Sequence, residues 1–256
     1  MTDPTRPAPR RSTRPPARRL RPSPGLPPPD PWSLDVLVAE IEDRVTATAA
    51  KHPNEPMGRW LYRVLDAWVG DRDGAWRRQR QAQGLAIIRE PACQLGCDHC
   101  CYQHVAVTEL EAEILAQHVQ AHLDPGEQAA LRHRVDRDAG RLRQLAAEAP
   151  TADAHRAALA RSRQPCPLLD EATRQCLAYE ARPVNCRREN SVEVEVCRRY
   201  RDDPDASESS LRLVRFDLLW GAVHVLLARM AADDPHLDSA SDATQPLALA
   251  LSRHFV

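Results

Sequence analysis

The stretch CQLGCDHCC, Cys93 to Cys101, places four thiols within nine residues of a chain that holds eight cysteines in all. The first group reads C-x3-C-x2-C-C through Cys93, Cys97, Cys100 and Cys101. The second reads C-x9-C-x9-C-x10-C through Cys166, Cys176, Cys186 and Cys197. An even split between two segments points to a dedicated ligand set, because cysteines used as small core residues scatter along a chain. Crowded thiolates repel one another, and a cation or a covalent bond must offset that repulsion. The first residues lack the apolar middle of a secretory leader. The expected compartment is therefore a reducing, bacterial cytoplasm, where structural disulfides do not persist. Metal ligation by all eight cysteines is the chemistry this pattern predicts.

Adjacent side chains diverge, so Cys100 and Cys101 are not expected to bind the same tetrahedral ion. They serve two metals, or one of them is a reactive or outlying thiol. Two four-thiolate sites, each drawing on both segments, would use the full set. This requires Cys97 and Cys100 to lie within reach of Cys176 and Cys186. Thiolate ligation suits zinc and iron–sulfur chemistry alike, so the cofactor is read as zinc or iron, with an iron–sulfur cluster compatible. Arg182, Arg187, Arg188, Arg198 and Arg199 crowd the second group. They either offset the charge of a metal–thiolate centre or are solvated helix surface.

Other donors are weaker candidates. His99 and His104 flank the first group and, with eight thiols available, are expected at the surface or behind the ligands. His118 and His122 have the i, i+4 spacing of helical ligands, but no third donor accompanies them and nearby glutamines suggest a wet face. The spacing from Cys93 to Cys100 is also that of radical S-adenosylmethionine enzymes, which place it after the first strand of a barrel. The chain after Cys100 offers helices and almost no strands, and no Gly-rich segment to hold that cofactor.

The elements that must position these thiols are helical. Aromatic residues make up 4% of the 256, and Ala, Leu and Val carry most of the apolar side, a composition suited to helices. The formal net charge is −1, so nothing global calls for nucleic acid. Basic charge is almost all arginine, with Lys51 the one lysine, as in a GC-rich genome. The most apolar run, LLWGAVHVLLA, is about half of the roughly 20 residues that span a bilayer, so a core helix is expected there and no membrane partner. Residues 1–31 are rich in Pro and Arg and are read as a disordered arm.

From there, Ser33 heads a helix with Leu34, Leu37, Val38, Ile41 and Val45 at helical spacing, and Trp60, Leu61, Val64, Leu65 and Trp68 share a face of the next. LAIIRE reads as a brief strand or extended entry. Thr108 with Glu111, and Asp124 with Glu127, stand in capping-box register. Gly140 interrupts the stripe Leu131, Val135, Leu142, Leu145, and TADAHRAALARSR reads as a further helix. SESSLRLVRFDLLWGAVHVLLARMAA is predicted as one long helix with Leu211, Val214, Leu218, Ala222 and Val225 inward. A short helix around QPLALALSRHF is expected to pack on it.

CQLGCDHCC, then VTELEAEILA, then CPLLDEATRQCLAYEARPVNCR together resemble the YkgJ-type cysteine-cluster family, described as zinc- or iron-chelating. The later positions of that pattern fall here at Cys166, Pro167, Leu169, Cys176, Tyr179, Arg182, Pro183, Cys186 and Arg187. The first gap is three residues here and two in the family pattern, and the likeness covers about residues 90–200. Members include flagellin lysine N-methylases. The likeness is confined to the cysteine core, so it implies metal binding and not methyl transfer.

The expected fold is mainly α: a helical domain over 32–256 enclosing a cysteine-rich metal-binding core with little β structure. The expected function is a cysteine-cluster metal-binding protein whose centre is structural or redox. The alternative is a protein-modifying enzyme, lysine N-methylase-like or otherwise iron–sulfur-dependent. The sequence names no catalytic residue, substrate or protein partner.

Overall fold

A computed structural model describes residues 30–86, 89–203, 205–206, 211–233 and 244–255. Residues 1–29 of the expected arm lie outside the described residues, as do Ile87 and Ile88 of the run LAIIRE; its remaining residues form neither helix nor strand. The fold is mainly helical.

Helix α1 (Leu34–Ala49) buries Leu37, Val38, Ile41 and Val45, while Leu34 stays exposed. Ser33 occupies the cap position without using its side chain. Helix α2 (Leu61–Ala82) buries Leu61, Tyr62, Leu65, Trp68 and Val69, and both helices pack on α8 (Val214–Asp233). Helix α3 (Glu109–His122) completes this core with Leu110, Ile114, Leu115 and Val119.

Both predicted capping boxes are present, Thr108 with Glu111 on α3 and Asp124 with Glu127 on α4 (Pro125–Glu148). Helix α4 passes straight through Gly140, burying Leu131, Val135, Ala139 and Leu142. Helix α5 (Ala152–Ser162) buries no residue and ends where Arg163 turns left-handed at φ 43°. Two short helices follow in the second cysteine segment, α6 (Val184–Arg188) and α7 (Val194–Asp202).

The helix expected from Ser207 begins at Val214, and its inward residues are Leu219, Trp220, Ala222, Val223, Leu226, Leu227 and Ala231. Leu211 and Val214 are exposed, against expectation. The cause lies upstream. Leu211 O accepts from Val192 N at 3.2 Å, Arg212 bridges to Ser191, and Leu213 N donates to Asn190 Oδ1 at 2.5 Å. Residues 211–213 are thus held extended against the second cysteine segment, which shifts the helical phase of α8. Residues 207–210 of the expected helix lie outside the described residues.

The C-terminal helix α9 (Leu247–Leu251) packs chiefly on α4 and α3, whereas α8 was the expected partner. It is steered there by β4 (Gln245–Pro246), which pairs antiparallel with β1 (Ala106–Val107) just before α3. Arg253 and His254 then pair with Glu109 at the head of α3. The other strand pair is the hairpin of β2 (Leu169–Asp170) and β3 (Gln175–Cys176). No helix among the described residues is long and apolar enough to cross a membrane.

Two glycines give opposite predictions. A Cβ on Gly58, in the 3-10 turn Met57–Arg59, would lie 2.8 Å from Ile114 O and 2.9 Å from Gln117 Cβ. Gly58→Ala is therefore expected to destabilise by about 1–3 kcal/mol through overpacking. A Cβ on Gly140 would meet nothing within 4 Å, so Gly140→Ala is expected to stabilise by about 0.5–1 kcal/mol. Urea or thermal melts of the two variants check the sign of each.

Candidate metal centre

The first cysteine group is a chain of tight turns. Gly96 takes φ 85°, a conformation that suits glycine. Cys97 N donates to Gln94 O at 3.0 Å, Cys101 N to Asp98 O at 2.9 Å, and His99–Tyr102 form a 3-10 turn. The second group is fastened to it at several points. Cys166 N donates to Cys101 O at 2.7 Å, and Ala92 N donates to Ser191 O at 2.8 Å. Ser191 N donates to the Cys93 sulfur at 3.3 Å. The buried Asp98 carboxylate receives Arg174 Nη2 at 2.5 Å. Arg174 reaches it from the β2–β3 hairpin, where it takes φ 57°. Asp170 closes the same hairpin, accepting from Ala172 N and Thr173 Oγ1.

The Cys186 segment is positioned from below by two buried charged side chains. Glu111 is 2% exposed. Its Oε2 accepts from Thr108 N at 2.9 Å and Thr108 Oγ1 at 3.2 Å, closing the cap of α3. Its Oε1 accepts from Val184 N at 2.8 Å, the first residue of α6, and from Tyr62 OH at 3.4 Å. Burial and then the Glu111 charge push the Tyr62 hydroxyl well above its ordinary value, which keeps it a neutral donor. Arg187, one residue past Cys186, donates to Arg182 O at 2.7 Å and Glu180 O at 2.6 Å, and pairs with Asp66. Its guanidinium lies over the rings of Tyr62 and Trp220, 4.6 and 5.3 Å from their centres. On the other side, Asn185 Nδ2 donates to Ala106 O at 2.6 Å.

This framework brings the two segments together. Cys97, Cys100 and Cys101 from the first and Cys166, Cys176 and Cys186 from the second line one cavity of about 230 Å³. A second cleft, of about 320 Å³, is lined by Cys93, Cys97, Cys100 and Cys186. Cys197, on α7, lines neither, and its charge acts on Cys93 and Cys97. All eight are free thiols, and all but the exposed Cys93 are partly buried. Among the described residues, no three or more His, Cys, Asp or Glu side chains are gathered into a ready-made cage for a metal ion. The sulfurs surround space.

Crowding is visible in the energetics of these thiols. Burial, then the charges of Cys100 and Cys176, drive the Cys186 thiol far above its ordinary value. Burial, then Cys176 and Cys186, does the same at Cys166. At Cys100 the hydrogen bond with Cys101 is the largest cause of a strong upward shift, followed by burial. Each is a thiolate-repelling site that a cation would turn into a thiolate-holding one. The donor set therefore fits a thiophilic metal.

Residues 92–206 match the family model CxxCxxCC, described as a "putative zinc- or iron-chelating domain". This stretch is similar to the CxxCxxCC domain. No curated protein and no solved structure matches the chain. The matched stretch includes all eight cysteines, together with α3 to α7, and the rest of the described chain supplies the helices against which it packs.

The histidines near the CxxCxxCC cysteines divide in a way their spacing does not indicate. His99 is buried, and its Nδ1 has no hydrogen-bond partner. His104 bonds Ser162 Oγ at 2.5 Å and edges the six-thiol cavity. His118 is buried rather than wet and stacks on His122, with ring centres 4.2 Å apart. The turn at Met57–Arg59 covers that face, with Gly58 N donating to Gln117 Oε1 at 2.9 Å. Glu111, Asp98 and Arg174 were not legible as site residues. Glu111 was visible as a cap, but its free oxygen gave no sign that it would reach α6.

Glu111→Gln replaces one acceptor face with a donor that meets Val184 N or Thr108 N. It is expected to cost about 1–3 kcal/mol and to raise hydrogen exchange at residues 184–188 more than at α1. Uniform protection in the variant would rule out a specific link to the Cys186 segment.

Proposed function

We propose that this chain is a metal-binding protein in which Cys93, Cys97, Cys100, Cys101, Cys166, Cys176, Cys186 and Cys197 hold zinc or iron, pinning the two cysteine segments together. The observation that carries this reading is the cavity lined by three thiols from each segment. Zinc–sulfur bonds are about 2.3 Å and a closed zinc site takes four ligands. Six thiols around about 230 Å³ offer more donors and more room than one such ion uses. That surplus favours more than one metal, in adjoining zinc sites or as an iron–sulfur cluster. Cys97, Cys100 and Cys186 line both spaces, which supports a reading in which they link Cys101, Cys166 and Cys176 to Cys93, with Cys197 joining from beside Cys93 and Cys97. The bound metal would supply the positive charge these thiols lack.

The cavity also favours a second reading, a centre that does chemistry. Leu168, Leu169, Pro183 and Leu247 give it an apolar wall beside the thiols, as a small substrate group requires. An iron–sulfur-dependent protein-modifying enzyme fits that wall, with no substrate indicated.

Anaerobic purification followed by metal analysis and a visible spectrum separates these. Colourless protein with zinc supports a structural centre; brown protein with iron and sulfide supports redox or catalytic work. Because ligand binding and folding are coupled in such sites, complete chelation is expected to lower the melting temperature by on the order of 10 °C or more. An unchanged melt of metal-free protein would overturn the proposal. Cys176→Ser and Cys186→Ser are each expected to lower bound metal per chain by about half or more, measured by elemental analysis.

A further inference from the structure

The arginines of the second cysteine segment do different work. Arg198 pairs with Glu195 and Asp202 on the exposed side of α7. Arg187 is turned inward onto carbonyls and rings. Arg182 alone among the five lines both thiol-bearing spaces. It is held rigidly there: Nε donates to Tyr179 O at 3.1 Å, and the guanidinium carbon lies 3.7 Å from the centre of the Tyr179 ring. Among the described residues it has no carboxylate partner. Glu189, the acidic side chain lining the same two spaces, pairs with Arg212 at 3.6 Å. Arg182 is half-buried, and a cation drawn partly out of water without a counter-ion is stabilised when negative charge faces it.

We propose that Arg182 is that match: a positioning residue whose charge offsets the negative charge of the metal–thiolate centre and sets how tightly the metal is held. The inference rests on the cysteine ligation proposed above. Four thiolates leave a divalent ion with net negative charge, and a cation fixed beside them stabilises the loaded state over the empty one. The guanidinium lines the same cavity as Cys100, Cys176 and Cys186, and the adjoining cleft with Cys100 and Cys186. Arginine suits the position because a planar guanidinium can stack on Tyr179 while its remaining N–H groups face the sulfurs.

The test compares metal retention in anaerobically purified wild-type protein, R182Q, R182K and R198Q. Each is titrated with a competing chelator, and metal release is followed by absorbance. R182Q is expected to bind its metal 10–100-fold more weakly, the range for outer contacts of metal ligands. R182K is expected to recover most of that loss, and R198Q to match wild type. R182M, which keeps the stem, replaces R182Q should the latter not fold. Equal retention in wild type and R182Q overturns the inference alone. So does an equal loss in R182K and R182Q, which would assign Arg182 to support of the Tyr179 turn and not to charge. Wild-type protein that retains no metal overturns this inference and the cysteine ligation together.

Discussion

One buried carboxylate joins the parts of this molecule that matter to its chemistry. Glu111 caps the helix that follows the first cysteine group and, with its other oxygen, caps the helix that carries Cys186. A carboxylate this deep is tolerable only when its lone pairs are used, and here donors arrive from α2, from the start of α3 and from the start of α6. The same group therefore fixes the position of the second cysteine segment relative to the helical core. Arg187 completes the arrangement from the opposite end of α6, tying the preceding turn and α2 to the same short helix.

On that base Cys100, Cys166, Cys176 and Cys186 are brought into a state that disfavours their own ionisation. Hydrogen bonds between backbones, such as Cys166 N to Cys101 O, bring the segments together without any sulfur–sulfur bond. The fold thus supplies the geometry, and in the proposed reading a bound cation would supply the charge balance. Much of the work of convergence is done by ordinary polar contacts: Asp98 with Arg174, Ser191 with Ala92 and Cys93.

The elements with strong local signals were legible in the sequence. The α1 stripe, both capping boxes and the helix over 152–162 follow from side-chain spacing and cap chemistry, which act over a single turn of chain. The mainly helical class followed from the same patterns, and the likeness to the CxxCxxCC family from the grouped cysteine, Pro and Arg positions. What the sequence could not convey depends on long-range partners. Leu211 and Val214 have helical spacing, yet pairing with residues 190–192 holds the chain extended before them. The C-terminal helix goes to α4 because β4 finds β1, a pairing of two residues with no periodic signal. Among five arginines of similar context, only tertiary placement separates Arg182 from Arg187 and Arg198.

The excursion between the two cysteine segments is anchored at its ends, where the Cys101 carbonyl meets the Cys166 amide. Its outer part is lightly held: α5 buries nothing, and residues 150 and 151, before it, are exposed. Doubling a flexible loop costs only about 0.6 kcal/mol in closure entropy. The α4–α5 turn is thus where this architecture can absorb added sequence, such as a whole extra module, without moving a sulfur.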